Sequence, residues 1–164
     1  MENYSDFLVK ETFQSTKVID GFSTCFRQWK AEETHCRFLH GYAVSFKFIF
    51  EGELDQRNWV VDFGSFKRSK YDIEGRTPKE WLSWLLDHTT IIAYDDPEVE
   101  EFQKLADKNI IQLRMLPATG CEKFAQHVYG KFAEWTKKET DGKCRLVSVE
   151  CREHEKNSAV YSER

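Results

Sequence analysis

The run from Tyr42 to Glu51, YAVSFKFIFE, constrains the fold more than any other part of the chain. Large apolar residues occupy alternate positions in it, namely Val44, Phe46, Phe48 and Phe50. Because successive side chains of a β-strand point to opposite faces of the sheet, this spacing places all of them on one face. The run therefore predicts a strand over residues 42–51 that covers a hydrophobic core.

Composition limits the classes of protein to which this chain can belong. Its 164 residues are 40% hydrophobic and 15% aromatic, so we expect one domain over residues 1–164, with polar tails at about 1–6 and 155–164. A net charge of −4 argues against nucleic-acid binding as the main function. No apolar run approaches the roughly 18–20 residues of a membrane span. Five cysteines without a Cys-x-x-Cys pair predict free thiols in a reducing cytoplasm.

Local patterns predict the elements of the first half. Residues 7–26 mix alternation with β-branched and aromatic residues, and predict one long strand or a hairpin, bent near residues 20–21. Residues 27–40 are charged and aperiodic, which predicts a loop. Residues 59–63 predict a return to the sheet, and residues 64–74 predict the start of a helix that the next Gly-Arg-Thr-Pro segment interrupts.

Capping signals define the helices that follow. Thr77 is a suitable N-cap for a helix that runs to about residue 87, because a proline comes next and Glu80 completes a capping box. Residues 97–107 predict a further helix, and residues 110–116 predict a strand.

The last part of the chain predicts a helix and a strand. Thr119 and Glu122 have capping-box spacing and open a predicted helix to about residue 138. Residues 144–152 alternate and predict the last strand. Long strands first, with helices later, indicate an α+β fold rather than a doubly wound sheet.

Three groups of residues are candidates for chemistry. Cys36 precedes His40 by four residues, and a nearby imidazole favours the thiolate form of a cysteine. Asp87 and His88 are adjacent at a predicted helix end, where a carboxylate can fix the imidazole tautomer for proton transfer. Glu150 interrupts an apolar strand, and its two oxygens can accept the paired N–H edge of a pterin or guanine.

Each group also has a structural interpretation. Cysteines are often small buried hydrophobes. A histidine such as His88 is stabilised by the dipole at a helix C-terminus, and Glu150 also fits an exposed position on a strand. Spacing alone leaves these alternatives open.

Considered together, the short motifs resemble one family. In chain order they are Phe22-Ser-Thr-Cys25, Cys36-x-x-x-His40-Gly-Tyr42, Trp59-Val-Val-Asp62-Phe63, Leu86-Asp87-His88, Thr119-Gly-Cys-Glu122 and Val149-Glu150. Their order resembles that of the 6-pyruvoyl-tetrahydropterin synthase and 6-carboxy-tetrahydropterin synthase family, which includes QueD-like enzymes. The resemblance extends from about Phe22 to Tyr161, and so covers nearly the whole chain.

The resemblance implies the tunnelling fold (T-fold), an antiparallel four-stranded sheet with helices on one face. It implies a homo-oligomer, often a hexamer, with active sites between subunits. The implied activity is that of a carbon–oxygen lyase that converts dihydroneopterin triphosphate to a tetrahydropterin, in pterin or in 7-deazaguanine and queuosine biosynthesis.

The resemblance also assigns roles to residues. Cys36 matches the thiol that deprotonates the substrate side chain, aided by a pair that corresponds to Asp87 and His88. Glu150 matches the glutamate that anchors the pterin ring, and Glu122 lies in a second stretch that contacts the pterin.

Zinc is the cofactor that the resemblance implies, held in the family by three histidines. The corresponding positions are Cys25, His40 and Tyr42, and His35 is an alternative ligand. Cysteine and histidine are good zinc ligands, whereas a neutral phenol is not. Two functions therefore stay open: a zinc-dependent pterin synthase, or a T-fold protein that binds a pterin or purine with lost or altered metal chemistry. A purely structural oligomer is a third.

Overall fold

A six-stranded mixed sheet forms the centre of the molecule in the computed structural model, which describes residues 10–164. The strands are β1 (Phe13–Phe26), β2 (His40–Gly52), β3 (Thr89–Ala93), β4 (Leu113–Leu116), β5 (Cys144–His154) and β6 (Asn157–Tyr161). Their order across the sheet is β4-β3-β1-β2-β5-β6. Neighbours from β1 to β6 are antiparallel, whereas β3 is parallel to β1 and β4 is parallel to β3.

Helices cover one face of this sheet. They are α1 (Ser65–Arg68), α2 (Pro78–Leu86), α3 (Val99–Asp107) and α4 (Cys121–Glu139). The longest, α4, packs aromatic rings on the strands, with ring centroids 4.6 Å apart for Phe48 and Phe132 and 4.8 Å apart for Phe26 and Phe124. None of the helices within residues 10–164 is long and apolar enough to cross a membrane.

The predicted strand over residues 42–51 is confirmed as the greater part of β2. Its four alternating apolar residues are completely buried beneath the helices. Burial of a side chain of this size contributes about 1.5–3 kcal/mol. The core face of β2 is therefore fixed in register, because a slip by one residue would expose all four.

The first strand has the predicted bend. Its register with β2 shifts between Ile19 and Phe22, and Gly21 has a φ of 85°, which a residue without a Cβ adopts readily. Residues 13–26 form one strand rather than a hairpin. Residues 7–9 of the predicted strand lie outside the described residues.

Two predictions between β2 and α2 are wrong. Residues 59–63 form bends and irregular backbone rather than a strand. They follow a turn in which the Asp55 carboxylate accepts hydrogen bonds from the backbone N–H groups of Arg57 and Trp59 at 2.7 and 3.0 Å. The helix predicted over residues 64–74 is limited to the four residues of α1. The capping box at Thr77, by contrast, is confirmed.

The number of strands differs from the expected four. β3 and β6 were not predicted, so the sheet is six-stranded and mixed, and β5 is not the last strand. β3 lacks an alternating pattern because it lies between two strands and is buried along its whole length. Helix α4 follows Gly120, and the hydroxyl of Thr119 donates to the Arg27 carbonyl at 2.6 Å instead of capping the helix.

Candidate active site

The loop that carries Cys36 is anchored at its start by a buried ion pair. Arg27 donates two hydrogen bonds to Asp96, at 2.8 Å from Nε and 2.5 Å from Nη2, and the Asp96 side chain is fully buried. Burial opposes ionisation of Asp96, but hydrogen bonds from Arg27 and from the backbone of Glu98 outweigh it and lower the pKa of this carboxyl. The pair fixes the end of β1 against the segment before α3.

Backbone contacts hold Cys36 within this loop. The Gln28 N–H donates to the Cys36 carbonyl at 2.8 Å, and the Thr34 hydroxyl accepts from the Cys36 N–H at 3.2 Å. A single turn of 3-10 helix, His35–Arg37, results. Cys36 is half-buried, and its thiol makes no hydrogen bond to any residue between 10 and 164. The thiol is thus positioned by the main chain and is open to a ligand.

The Asp87–His88 pair follows α2 and is tied to β1. One oxygen of Asp87 accepts from the Ser23 N–H at 3.1 Å and lies 3.0 Å from Nδ1 of His88. The His88 N–H donates to the Ser23 carbonyl at 2.7 Å. This bond supports a φ of 58° at His88, which residues other than glycine rarely adopt. The structure brings Asp87 and His88 together, but among the described residues no hydrogen bond joins them to Cys36.

The register of β1 and β2 separates the expected metal ligands. Cys25 lies opposite Gly41, whereas Phe26 lies opposite His40. Residues directly opposite each other on antiparallel strands share a face of the sheet. Cys25 therefore points away from His40 and Tyr42, and the nearby β1 residues that share their face are Thr24 and Phe26.

Phe26, Tyr42 and His40 form an aromatic stack. The rings of Phe26 and Tyr42 are 4.2 Å apart and inclined by 15°, and His40 lies 4.4 Å from Tyr42 on the same face. The Nδ1 atom of His40 contacts the Phe38 carbonyl at 2.8 Å, which favours a proton on Nδ1. Burial, and then the charge of Glu153, raises the pKa of Tyr42 to about 12, so its phenol stays protonated at neutral pH.

These residues do not fit the implied zinc site. Of Phe26, His40 and Tyr42, only His40 offers a good zinc ligand. Within residues 10–164, no group of three or more histidine, cysteine, aspartate or glutamate side chains is arranged to hold a metal ion. The zinc ligand set inferred from the sequence therefore does not converge in this chain.

The two glutamates of β5 lie on opposite faces. Glu150 is opposite Lys47 and pairs with Arg152 at 2.7 Å, on the face away from Tyr42. A hydrogen bond from Ser158, more than the Arg152 charge, lowers the pKa of Glu150. Glu153 is two positions beyond the completely buried Cys151, on the helix-covered face, and its charge acts on Tyr42. Glu153 is thus the β5 carboxylate that faces the site.

The N-terminus of α4 brings a second carboxylate to this side of the sheet. Gly120 precedes the helix with a φ of 111°, and a Cβ there would meet Nε2 of Gln28 at 2.5 Å. Glu122 lies in the first turn. The contact with the Cys121 thiol, followed by burial, raises the pKa of Cys151, and the charges of Glu153 and Glu122 act in the same direction. Glu122 and Glu153 therefore both lie within electrostatic range of Cys151 on the core face.

Sequence reasoning missed Phe26 and Glu153. Phe26 could have been identified from strand pairing, because it lies directly opposite His40, which was already a candidate ligand. The signal for Glu153 was strand alternation beyond Cys151, which was missed because the predicted strand ended at residue 152. Both residues can be identified as candidates only when the register of strand pairing is known.

The mixed sheet, the helices on one face and the site at the end of β2 define an α+β protein of the tunnelling-fold class. The sequence profile of the family described as 6-pyruvoyl tetrahydropterin synthase matches residues 15–164. The chain belongs to this family. No curated protein matches the chain significantly.

Solved structures share the fold. An uncharacterized protein from Wolinella succinogenes superposes with a TM-score of 0.70 at 19% identity, covering 94% of this chain and 99% of that one. The 6-pyruvoyl tetrahydropterin synthase of Caenorhabditis elegans gives 0.61 at 18% identity, covering 94% and 97%. That of Plasmodium vivax gives 0.61 at 12% identity, covering 93% and 99%.

Proposed function

We propose that this protein is a pterin synthase-like carbon–oxygen lyase that acts on a dihydropterin with an oxygenated side chain, such as dihydroneopterin triphosphate. The observation that carries the proposal is that Tyr42, in a chain of this family, lies within electrostatic range of both Glu153 and Cys36. The product would be a 6-carboxy- or 6-pyruvoyl-tetrahydropterin, for 7-deazaguanine and queuosine or for pterin biosynthesis.

In this proposal, the carboxylates of Glu153 and Glu122 bind the pterin ring. A carboxylate can accept two parallel hydrogen bonds from the 2-amino and N3–H groups. Glu153 replaces Glu150 as the anchoring residue, because Glu150 lies on the face of the sheet away from Tyr42. Ring binding on this side places the ligand side chain towards Tyr42 and the Cys36 loop.

Cys36 moves a proton at the side chain of the substrate. Its thiol has no competing hydrogen bond among the described residues, and a thiolate is an effective base. Asp87 and His88 form a ready proton shuttle, since the carboxylate fixes the imidazole. A working thiol has to stay reduced, which agrees with a cytoplasmic location.

Assembly of several copies would bring these groups together. Asp87 and His88 are not joined to Cys36 within one chain, and β4 and β6 each have one neighbour in the described sheet. Pairing at these edges would form a homo-oligomer, which we propose to be a hexamer, with sites between subunits.

A second candidate is a protein that binds pterins or purines without metal chemistry. This candidate is favoured because Phe26, His40 and Tyr42 do not form a zinc-binding set. It shares the ring-binding carboxylates with the first candidate and differs in the absence of turnover.

One experiment separates the two candidates. The purified full-length chain is incubated with dihydroneopterin triphosphate, the products are identified by mass spectrometry, and affinity for neopterin is measured by fluorescence titration. Loss of the triphosphate with formation of a tetrahydropterin supports the lyase. Neopterin binding without turnover supports the second candidate, and neither binding nor turnover contradicts both.

A further inference from the structure

The position expected for a metal ion is filled by aromatic rings. Phe26 is only 1% exposed, and it is covered on one side by the parallel ring of Tyr42 and on another by the edge of Phe124. A stacked pair of this kind is favourable beyond the burial of its apolar area. Phe26 is thus part of the core, and Tyr42 packs on it and separates it from solvent at the site.

The polar group of the aromatic stack is the Tyr42 hydroxyl. Tyr42 is half-buried, and its hydroxyl makes no hydrogen bond to any residue that the structure describes. A phenol is protonated at physiological pH, so the hydroxyl can act as a hydrogen-bond donor. A neutral hydroxyl can donate a hydrogen bond to an uncharged ligand oxygen. It adds no second negative charge to that of Glu153, which acts on Tyr42.

We propose that this site functions without a bound metal ion, and that the Tyr42 hydroxyl donates a hydrogen bond to the side-chain carbonyl oxygen of a pterin ligand. The inference rests on the proposed pterin binding for the ligand and on the Phe26–Tyr42–His40 stack for the absence of zinc. A positioned donor of this kind stabilises charge that develops on an oxygen, which is the task of an oxyanion hole. Tyr42 then determines preference among pterins by their side chains.

The zinc part of the proposal is tested independently of any ligand. The wild-type protein and the Phe26→His/Tyr42→His double variant are incubated with zinc, desalted and analysed for metal content. Because histidines at these two positions share a face with His40, we expect about one zinc ion per chain in the double variant and almost none in the wild type. Circular dichroism verifies folding, and the Tyr42→His single variant serves where the buried Phe26 position does not tolerate a histidine.

Cys25→Ala is the control for this measurement. Since Cys25 faces the opposite side of the sheet, its loss leaves the zinc content of every variant unchanged. The proposal is overturned if the wild-type protein retains about one zinc ion per chain. If that zinc disappears in Cys25→Ala, the ligand set is the one that the sequence suggested.

The Tyr42 part is tested with two probes in fluorescence titrations. Sepiapterin is a dihydropterin whose side chain carries a ketone, and pterin has no side chain. Tyr42→Phe keeps the stack and removes only the donor, so we expect affinity for sepiapterin to fall about tenfold and affinity for pterin to change less than about twofold. Equal effects on both probes, or none, contradict the role of Tyr42. If the wild type binds neither probe, the proposed function fails, whereas the zinc measurement still decides the metal-free site.

Discussion

The two faces of the sheet carry similar side chains with different consequences. One face has Cys25 and Glu150, and the other has Tyr42 and Glu153. On the first face Glu150 is engaged with Arg152, and burial raises the pKa of the Cys25 thiol. On the second face aromatic stacking, a free phenol and a carboxylate converge. Side-chain identity therefore indicates function only together with strand register.

The strongest test of this comparison concerns the two half-buried cysteines. Replacing Cys36 by alanine removes the proposed proton-transfer group, and we expect turnover of dihydroneopterin triphosphate to fall about 10²–10⁴-fold. Cys25→Ala should leave turnover nearly unchanged because its side chain lies on the other face. The comparison fails if the Cys25 variant loses as much activity as the Cys36 variant in the same assay.

Loss of the buried ion pair between Arg27 and Asp96 should have the largest effect on stability. Asp96→Ala leaves the Arg27 guanidinium without its partner, and such losses cost about 3–5 kcal/mol of the free energy of unfolding. Urea denaturation monitored by fluorescence measures this change. A loss as small as that of an exposed pair would show that the loop is not anchored there.

The same pair gives a pH dependence of known sign. The pKa of Asp96 is lower in the folded protein than in the unfolded chain, where it is about 3.9. Its contribution is therefore complete above that value and is lost as the pH falls through the folded pKa. The difference in unfolding free energy between wild type and Asp96→Asn should narrow below about pH 4.

The two glutamates of β5 provide an intermediate effect. Glu153→Gln should weaken neopterin binding about 10–100-fold, because hydrogen bonds to a charged group contribute about 1.5–3 kcal/mol. Glu150→Gln is the matched control on the opposite face and should leave the affinity unchanged. Reversed results would return the anchoring role to Glu150.

The ion pair between Arg152 and Glu150 should matter least. Arg152→Ala breaks the contact with Glu150, and pairs near the surface contribute at most about 1 kcal/mol. Thermal or urea denaturation measures the change, and neopterin affinity should stay the same. A larger loss, or any effect on binding, would show that the two faces are not independent.

Local sequence patterns predicted those parts of the fold that depend on local physics. The alternation in β2 and the capping box at Thr77 were both confirmed, because each is specified within a few residues. β3 could not be recognised, since a strand buried on both faces has no alternation. The 59–63 segment has strand-forming residues, but the turn made by Asp55 overrides them.

The site was predictable only in part for the same reason. The adjacent pair Asp87 and His88 needs no tertiary information, and the structure places the two side chains in contact. Phe26 and Glu153 acquire meaning from neighbours on other strands. The register of a strand is set by the whole sheet. An error of one residue in matching a motif to a strand therefore assigns its side chains to the wrong face.

β1 is the first strand of the chain, yet it lies in the middle of the sheet between β2 and β3. During synthesis, the β1–β2 ladder can form early because its partners are near in sequence, which places His40 and Tyr42 opposite β1. β5, which brings Glu153, emerges much later, and non-local contacts carry the greater cost of loop closure. A chain in which β5 has not yet paired therefore lacks the carboxylate that we propose as the anchor of the pterin ring. The proposed ligand binding requires the sheet from β1 to β5.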